Sequence, residues 1–394
     1  MTDLFKNVDV ELLKEAISAY FLISDDPSFS RVRRRPFFIK TNVHDAKGDA
    51  ISLLFERMVS RKFPLWSAYV LAYNFIDTFS DELGEKFIFD RDCEQTESVS
   101  WCSKVVACFE LYIKEMNEGR RKLPEKPRDW ERYLISFCSQ RNRKPKMEDR
   151  HIILPSFSVI NSHLPNSDAF FAVFDGHNGS ECAVYASAHF LECLVSASSS
   201  GSSDDTLLFD AFTKIDERIT SLCLSEVHEF TKNHSSFFDR ITKVFNNDLH
   251  IYPAVLKANR IETLSSPHKP ENPEELKRIE EAGGVVLSVQ GVPRLNGVLN
   301  LSRSLGDIHA RPMVSSKPDI SKYNLSEVDY MLFLATDGIW EKFHLLADFI
   351  ADKAKESDSI DNLTLICISL VPLEELWYMF AHKIENHNFD KNST

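Results

Sequence analysis

Apolar residues recur at helical spacing through the first third of the chain, and short apolar runs bounded by turn residues follow. Leu12, Leu13, Ala16, Ile17 and Tyr20 form one stripe. That stripe predicts a helix capped by Asp9 and ended by Asp25-Asp26-Pro27. Ile51, Leu54, Met58 and Val59 predict a second helix, with Asp49 at its start. Pro64 suits the first turn of a third helix, running from Leu65 toward Leu83 and closed by Gly84. Trp101, Val105, Phe109, Tyr112 and Ile113 share one face of a fourth, from Ser98 to Met116.

From Asp129 the period changes. Apolar runs at 169–174, 330–335 and 363–370 read as strands, and 181–195, 207–229 and 274–282 as helices. The run at 170–174 is apolar on both faces, which predicts a central strand. Residues 237–245 and 249–255 predict a hairpin turning at Asn246-Asn247-Asp248, with Pro253 marking the second strand as an edge. Ser196 to Asp205 is Ser-rich and reads as a surface loop. The expected class is α+β: a helical N-terminal domain for protein contacts (1–119), a charged, Pro-containing linker (120–128), a mixed domain (129–373), and a last helix and tail (374–394).

Composition narrows the function. A net charge of −13 argues against broad nucleic-acid binding and against adhesion to an anionic membrane. The first residues lack an apolar signal region, and no run is long enough to span a bilayer, so a cytoplasmic location is expected. The 8 cysteines include no Cys-x-x-Cys pair, which favours reduced thiols over zinc. Arg31, Arg33, Arg34 and Arg35 read first as a solvated basic face, and second as a site for an acidic or phosphorylated partner.

Acidic clusters beside apolar runs carry the candidate chemistry: Glu148-Asp149, Asp175-Gly176-His177, Asp337-Gly338 and Asp361-Asn362. A strand ending in a carboxylate places it at a sheet rim, and several such rims together make an all-oxygen cage suited to Mg²⁺ or Mn²⁺. Two such ions can activate a water and clamp a phosphoryl group. Any one Asp-Gly pair is more commonly a plain turn; its repetition at strand ends outweighs that account. His177 is placed to protonate a leaving oxygen. The basic stretch 141–146 ahead of Glu148 suits a phosphate. Arg303 and Asp307, in the run from Arg294 to Asp307, read as structural anchors.

In this order the clusters resemble the metal-dependent serine/threonine protein phosphatases of type 2C, the PPM family, over residues 138–371. Val43-His44-Asp45, Arg311-Pro312-Met313 and Glu375-Leu376-Trp377 resemble the branch that serves nematode sex determination. The resemblance implies a β-sandwich of two antiparallel sheets flanked by helices, phosphoprotein substrates, and two Mg²⁺ or Mn²⁺ ions. By position, Asp149, Asp175, the Gly176 carbonyl, Asp337 and Asp361 would hold the metals, with Glu148 acting through a bound water. His177 would be the general acid. The family grips phosphate with an Arg five residues before its first Asp; here Lys144 stands there, with Arg143 beside it. The family's Gly-Asp-Ser turn is absent ahead of Tyr252, and 338–361 is short. An active phosphatase and a pseudophosphatase acting as a binding scaffold are both compatible with these residues. A metal-dependent nuclease fits poorly with the net charge.

Overall fold

The computed structural model describes residues 2–22, 40–42, 45–83, 95–160, 168–177, 179–201, 206–233, 246–248, 252–257, 260–336, 355, 359, 361–372 and 375. The Arg31–35 run, Asp337, the short 338–354 stretch, the expected strand at 237–245 and most of the expected C-terminal helix lie outside them. Two compact units result: residues 1–130 with 156–169, and residues 131–155 with 170–394.

In the first unit, α1 (Thr2–Leu22), α2 (Ala46–Ser60), α3 (Leu65–Leu83) and α4 (Ser98–Asn117) pack together beside an antiparallel pair, β1 (Lys40–Asn42) with β2 (Gln95–Glu97). Leu13, Ile17, Tyr20, Leu54, Met58, Leu71, Phe109 and Ile113 are buried. Phe75 and Phe109 meet edge to face at 5.3 Å. The inward stripes are narrower than their apolar residues suggested. Leu12 and Val59 are 48% and 42% exposed, because each lies about 100° round the helix from an inward neighbour, Leu13 and Met58. Asp9 does not cap α1: the helix begins seven residues earlier at Thr2, and the Asp9 carboxylate pairs with Lys126 Nζ at 2.6 Å. Asp45 precedes α2, and Asp49 lies in its first turn, its N–H donating to the Asp45 carbonyl at 2.9 Å. The 156–169 stretch joins this unit through a turn at Phe157–Val159 near α3, with Phe157 buried.

The second unit is built on a five-stranded antiparallel sheet in the order β3 (Leu134–Gln140), β13 (Leu363–Ser369), β12 (Asp329–Ala335), β7 (Tyr252–Lys257), β8 (Ile261–Thr263). Every residue of β13 is buried, as expected for an apolar run at the sheet's middle. β4 (Arg150–Leu154) pairs with β5 (Phe170–Phe174), and β5 faces β12 and β13. Helices α5 (Glu181–Ser199) and α6 (Leu207–Asn233) pack on each other, with α5 over β4 and β5. Phe190 of α5 stacks on Phe170 at 5.6 Å. Among the described residues β5 pairs with β4 alone. Its two apolar faces suit its place between the larger sheet and α5.

Two further expectations fail here. Asn246–Asp248 is not a turn but β6, paired antiparallel with β11 (Ser304–Gly306). β7 is not an edge, since β12 and β8 flank it. Pro253 is tolerated because it occupies the second position of β7, before the pairing with β8 begins at Ala254. α7 (Pro273–Glu281) closes at Gly283, whose φ of +82° suits glycine, and leads into the hairpin β9 (Val286–Val289) with β10 (Val292–Leu295). Among the described residues, no helix is long and apolar enough to cross a membrane.

Candidate active site

Strand pairing assembles the site. Arg150 at the start of β4 pairs with Phe174 at the end of β5, so Glu148-Asp149 and Asp175-Gly176-His177 leave from the same end. In the larger sheet, Ala335 at the end of β12 pairs with Leu365, and Gln140 at the end of β3 with Leu363. Thr336, Asp361-Asn362 and the basic loop after Gln140 therefore share one rim.

Asp149 is the inner member, 2% exposed. Its Oδ2 accepts from Thr364 Oγ1 at 2.7 Å and from Thr336 Oγ1 at 3.2 Å. Burial pushes its carboxyl up to about 6; the Thr364 and Thr336 hydroxyls and the Gly176 N–H oppose this in part, while Asp361 adds repulsion. Gly176 is buried against Glu148, and a Cβ added there would overlap the Glu148 carbonyl, so only glycine fits.

At the rim, Lys144 Nζ lies 2.9 Å from Asp361 Oδ1 and 3.8 Å from Glu148 Oε2. Burial lowers the Lys144 pKa, but Asp361, Glu148 and Asp175 outweigh it and raise it overall. Burial raises Glu148, against the pull of Lys144 and Lys146. His177 is half-buried; burial first, then Lys144 and Arg294, lower its pKa, while Asp361 raises it. Arg143, next to Lys144, is exposed.

Asn362 and Asn142 hold this rim in shape, a role that neither residue's sequence context predicts. The Glu148 N–H donates to Asn362 Oδ1 at 2.7 Å, and Asn362 Nδ2 donates to the carbonyls of Arg141 and Lys146. Asn142 Nδ2 donates to the carbonyls of Ser359 and Asp361 at 2.7 and 2.9 Å. The start of β13 is thus tied to the loop carrying Lys144 and Glu148. The available signals were Asn beside a site Asp and Thr inside a fully buried strand.

The structure therefore gathers Lys144, Glu148, Asp149, Asp175, Gly176, His177 and Asp361 at one end; Asp337 lies outside the described residues. Among the described residues, no three of His, Cys, Asp and Glu converge as a complete ligand group. The donors present still fit a hard dication. They are carboxylate oxygens, and the hydrogen-bond partners of buried Asp149 are neutral.

Arg303 and Asp307 lie elsewhere in this unit. Arg303 pairs with Glu275 and Asp319, and buried Asp307 accepts from Ser304 Oγ at 2.7 Å.

The chain is 27% identical over 387 residues to protein phosphatase fem-2 of Caenorhabditis elegans, covering 88% of this chain and 85% of that one. It is 26% identical to human protein phosphatase 1E, over 85% of this chain but 48% of that longer one. A solved C. elegans sex determining protein shares the fold, with a TM-score of 0.74 at 24% identity over 94% of this chain and 96% of that one. The protein phosphatase 2C family model matches residues 133–368, more than half of the sequence, and the chain belongs to that family.

Proposed function

We propose that the chain is a metal-dependent protein serine/threonine phosphatase that hydrolyses phosphoserine and phosphothreonine in proteins. The observation that carries this reading is the meeting of Lys144, Glu148, Asp149, Gly176 and Asp361 at one end of the sandwich. Asp149, Asp175, the Gly176 carbonyl, Asp361 and Asp337 would hold two Mg²⁺ or Mn²⁺ ions, with Glu148 reaching them through a water. When bound, such ions supply an activated water and neutralise charge on the phosphoryl group.

The chain's own residues do the rest. Lys144 faces the phosphate as a point charge and balances the rim carboxylates. Asn362 and Asn142 fix the loop that carries it. His177, lowered by burial and by Lys144 and Arg294, is neutral at neutral pH in the free protein. A phosphate dianion beside it raises its basicity again, which suits it to deliver a proton to the serine or threonine oxygen as that oxygen leaves.

The likeness to fem-2 and to the solved sex determining protein supports a role in a sex-determination pathway. The helical unit would serve there as a docking module for protein partners. The scaffold reading has one observation in its favour: the Lys144 ammonium is engaged by Asp361.

Hydrolysis of a phosphothreonine peptide with Mn²⁺, Mg²⁺ or chelator, beside an Asp175→Asn control, separates the two readings. Metal-dependent turnover lost on chelation and in the variant is expected. A folded chain with no turnover under any of these conditions leaves the scaffold.

A further inference from the structure

We propose that a cavity on the helical unit is a docking groove for an acidic segment of a partner protein; this rests on the docking role proposed above for that unit. The cavity, about 560 Å³, is lined by α3, α4 and the stretch after α4. α3 contributes Asn74 and Thr78, one turn apart and so on one face, and α4 contributes Tyr112. Arg120, Arg121 and Lys122 form the remaining wall.

That wall is held in place. The N–H groups of Arg120 and Arg121 both donate to the Glu115 carbonyl, at 2.8 and 3.1 Å, and Lys126 further on pairs with Asp9 at 2.6 Å. The Arg121 guanidinium lies 4.4 Å from the Tyr112 ring centroid and pairs with Glu115 at 2.9 Å. The stacking and the pair hold this guanidinium in one place on the wall.

The charge of the lining selects the occupant. Arg120 pairs with Glu118, and Lys122 with Glu125 at 2.6 Å, its side chain 84% exposed. Exposed pairs of this kind contribute little and exchange partners readily. Glu115, Glu118 and Glu125 do not line the cavity, and the acid that does, Asp77, pairs with Lys47 at 3.2 Å. The lining therefore presents three cations, each paired with a glutamate outside it, and one acid, Asp77, paired with Lys47. A long polyanion would meet repulsion from the chain's net charge of −13, whereas a short acidic segment need only take the places of Glu118 and Glu125 on Arg120 and Lys122. The volume suits a few side chains, and the Asn74 amide and Thr78 hydroxyl can donate to carboxylate oxygens.

The test uses the full chain and a fluorescein-labelled oligo-glutamate peptide, read by fluorescence anisotropy. Binding at low salt should weaken by about tenfold or more in Arg120→Glu with Lys122→Glu, and should weaken with added salt. Lys104→Glu, at the far end of α4, should bind as the wild type does. Circular dichroism melts confirm that each variant folds, and turnover of a small phosphoester in the same samples should not change. Loss of peptide binding in Lys104→Glu but not in the double variant overturns the groove and leaves docking by the helical unit standing. No peptide binding to the wild type overturns the groove. So does inorganic phosphate displacing the peptide as well as unlabelled peptide does, because a small-anion site would explain that.

Discussion

Among the described residues of the sandwich unit four carboxylates are almost inaccessible, Asp149, Glu275, Asp307 and Asp329, and the surroundings of Glu275 and Asp149 push these two in opposite directions. Glu275 is 4% exposed. Burial alone would raise its carboxyl, but hydrogen bonds from Arg303, Ser302 and Arg278 overcome this and hold it at about 2. Asp149 is 2% exposed, and burial, opposed only by two threonine hydroxyls and a backbone N–H, takes it up to about 6. Glu275 is sealed by fixed cations. Asp149 has hydroxyls for partners and another carboxylate, Asp361, for a neighbour. Burial also pushes Asp307 up to about 6, with the Ser304 hydroxyl donating to it, so a raised buried acid alone does not mark a cation site; what sets Asp149 apart is its place at the strand ends beside Asp361.

The largest expected effect comes from opening the sealed cluster. Arg303→Met removes the guanidinium whose Nε and Nη2 lie 2.9 and 2.6 Å from Glu275 Oε1. Breaking a buried pair by removing one partner should destabilise the fold by about 3 kcal/mol in urea unfolding near neutral pH. The pH dependence follows from the depressed folded-state pKa. The stabilisation by Glu275 is complete above its ordinary value of 4.5 and is lost as pH falls through that value toward 2. After allowance for solvent screening it amounts to about 2 kcal/mol. The cost of Arg303→Met should therefore shrink in acid. An equal cost at both ends of that window would mean that the arginine acts by packing, and the contrast with Asp149 would lose its electrostatic basis.

Asp149→Asn should have the opposite sign. Removing a buried charge that lacks a fixed counter-charge should stabilise the chelated protein by about 1–2 kcal/mol. The same variant should lose the rise in melting temperature that Mn²⁺ gives the wild type, read by calorimetry. Destabilisation comparable to that of Arg303→Met would place Asp149 with Glu275 as a structural acid.

The sequence made the strand-end carboxylates legible because apolar runs announce strands and the following Asp needs no partner to be noticed. It also marked α2 to α7 closely, because their apolar residues keep a helical period. Residues whose placement depends on non-local pairing were not legible. Asn246–Asp248 is all polar, and only its partner Ser304–Gly306 makes it a strand. Pro253 indicated an edge, yet β12 and β8 flank its strand. Asn362 sits beside a recognised Asp, but its role emerges only when the 141–148 loop folds onto it. Arg303 was legible as a structural anchor, but its partner Glu275 was not, because the two are 28 residues apart and an isolated charge on a helix reads as solvated.

Lys144 tests the boundary between the two kinds of cluster, and its expected effect is the smallest. Like the arginines at Glu275 it is a cation on a carboxylate, 2.9 Å from Asp361. Unlike them it sits at a half-exposed rim, with 30% of its side chain and 39% of that of Asp361 accessible. Such a pair contributes no more than about 1 kcal/mol, so Lys144→Arg should leave unfolding nearly unchanged. If Lys144 faces the phosphate, the planar fork should improve the grip and lower KM for a phosphothreonine peptide by about threefold to tenfold, with little change in kcat. Arg143→Ala, at the exposed neighbour, should change neither constant. If Arg143→Ala instead raises KM and Lys144→Arg changes only stability, the phosphate is gripped one residue earlier. Lys144 would then be a structural counter-charge of the kind that Arg303 provides to Glu275.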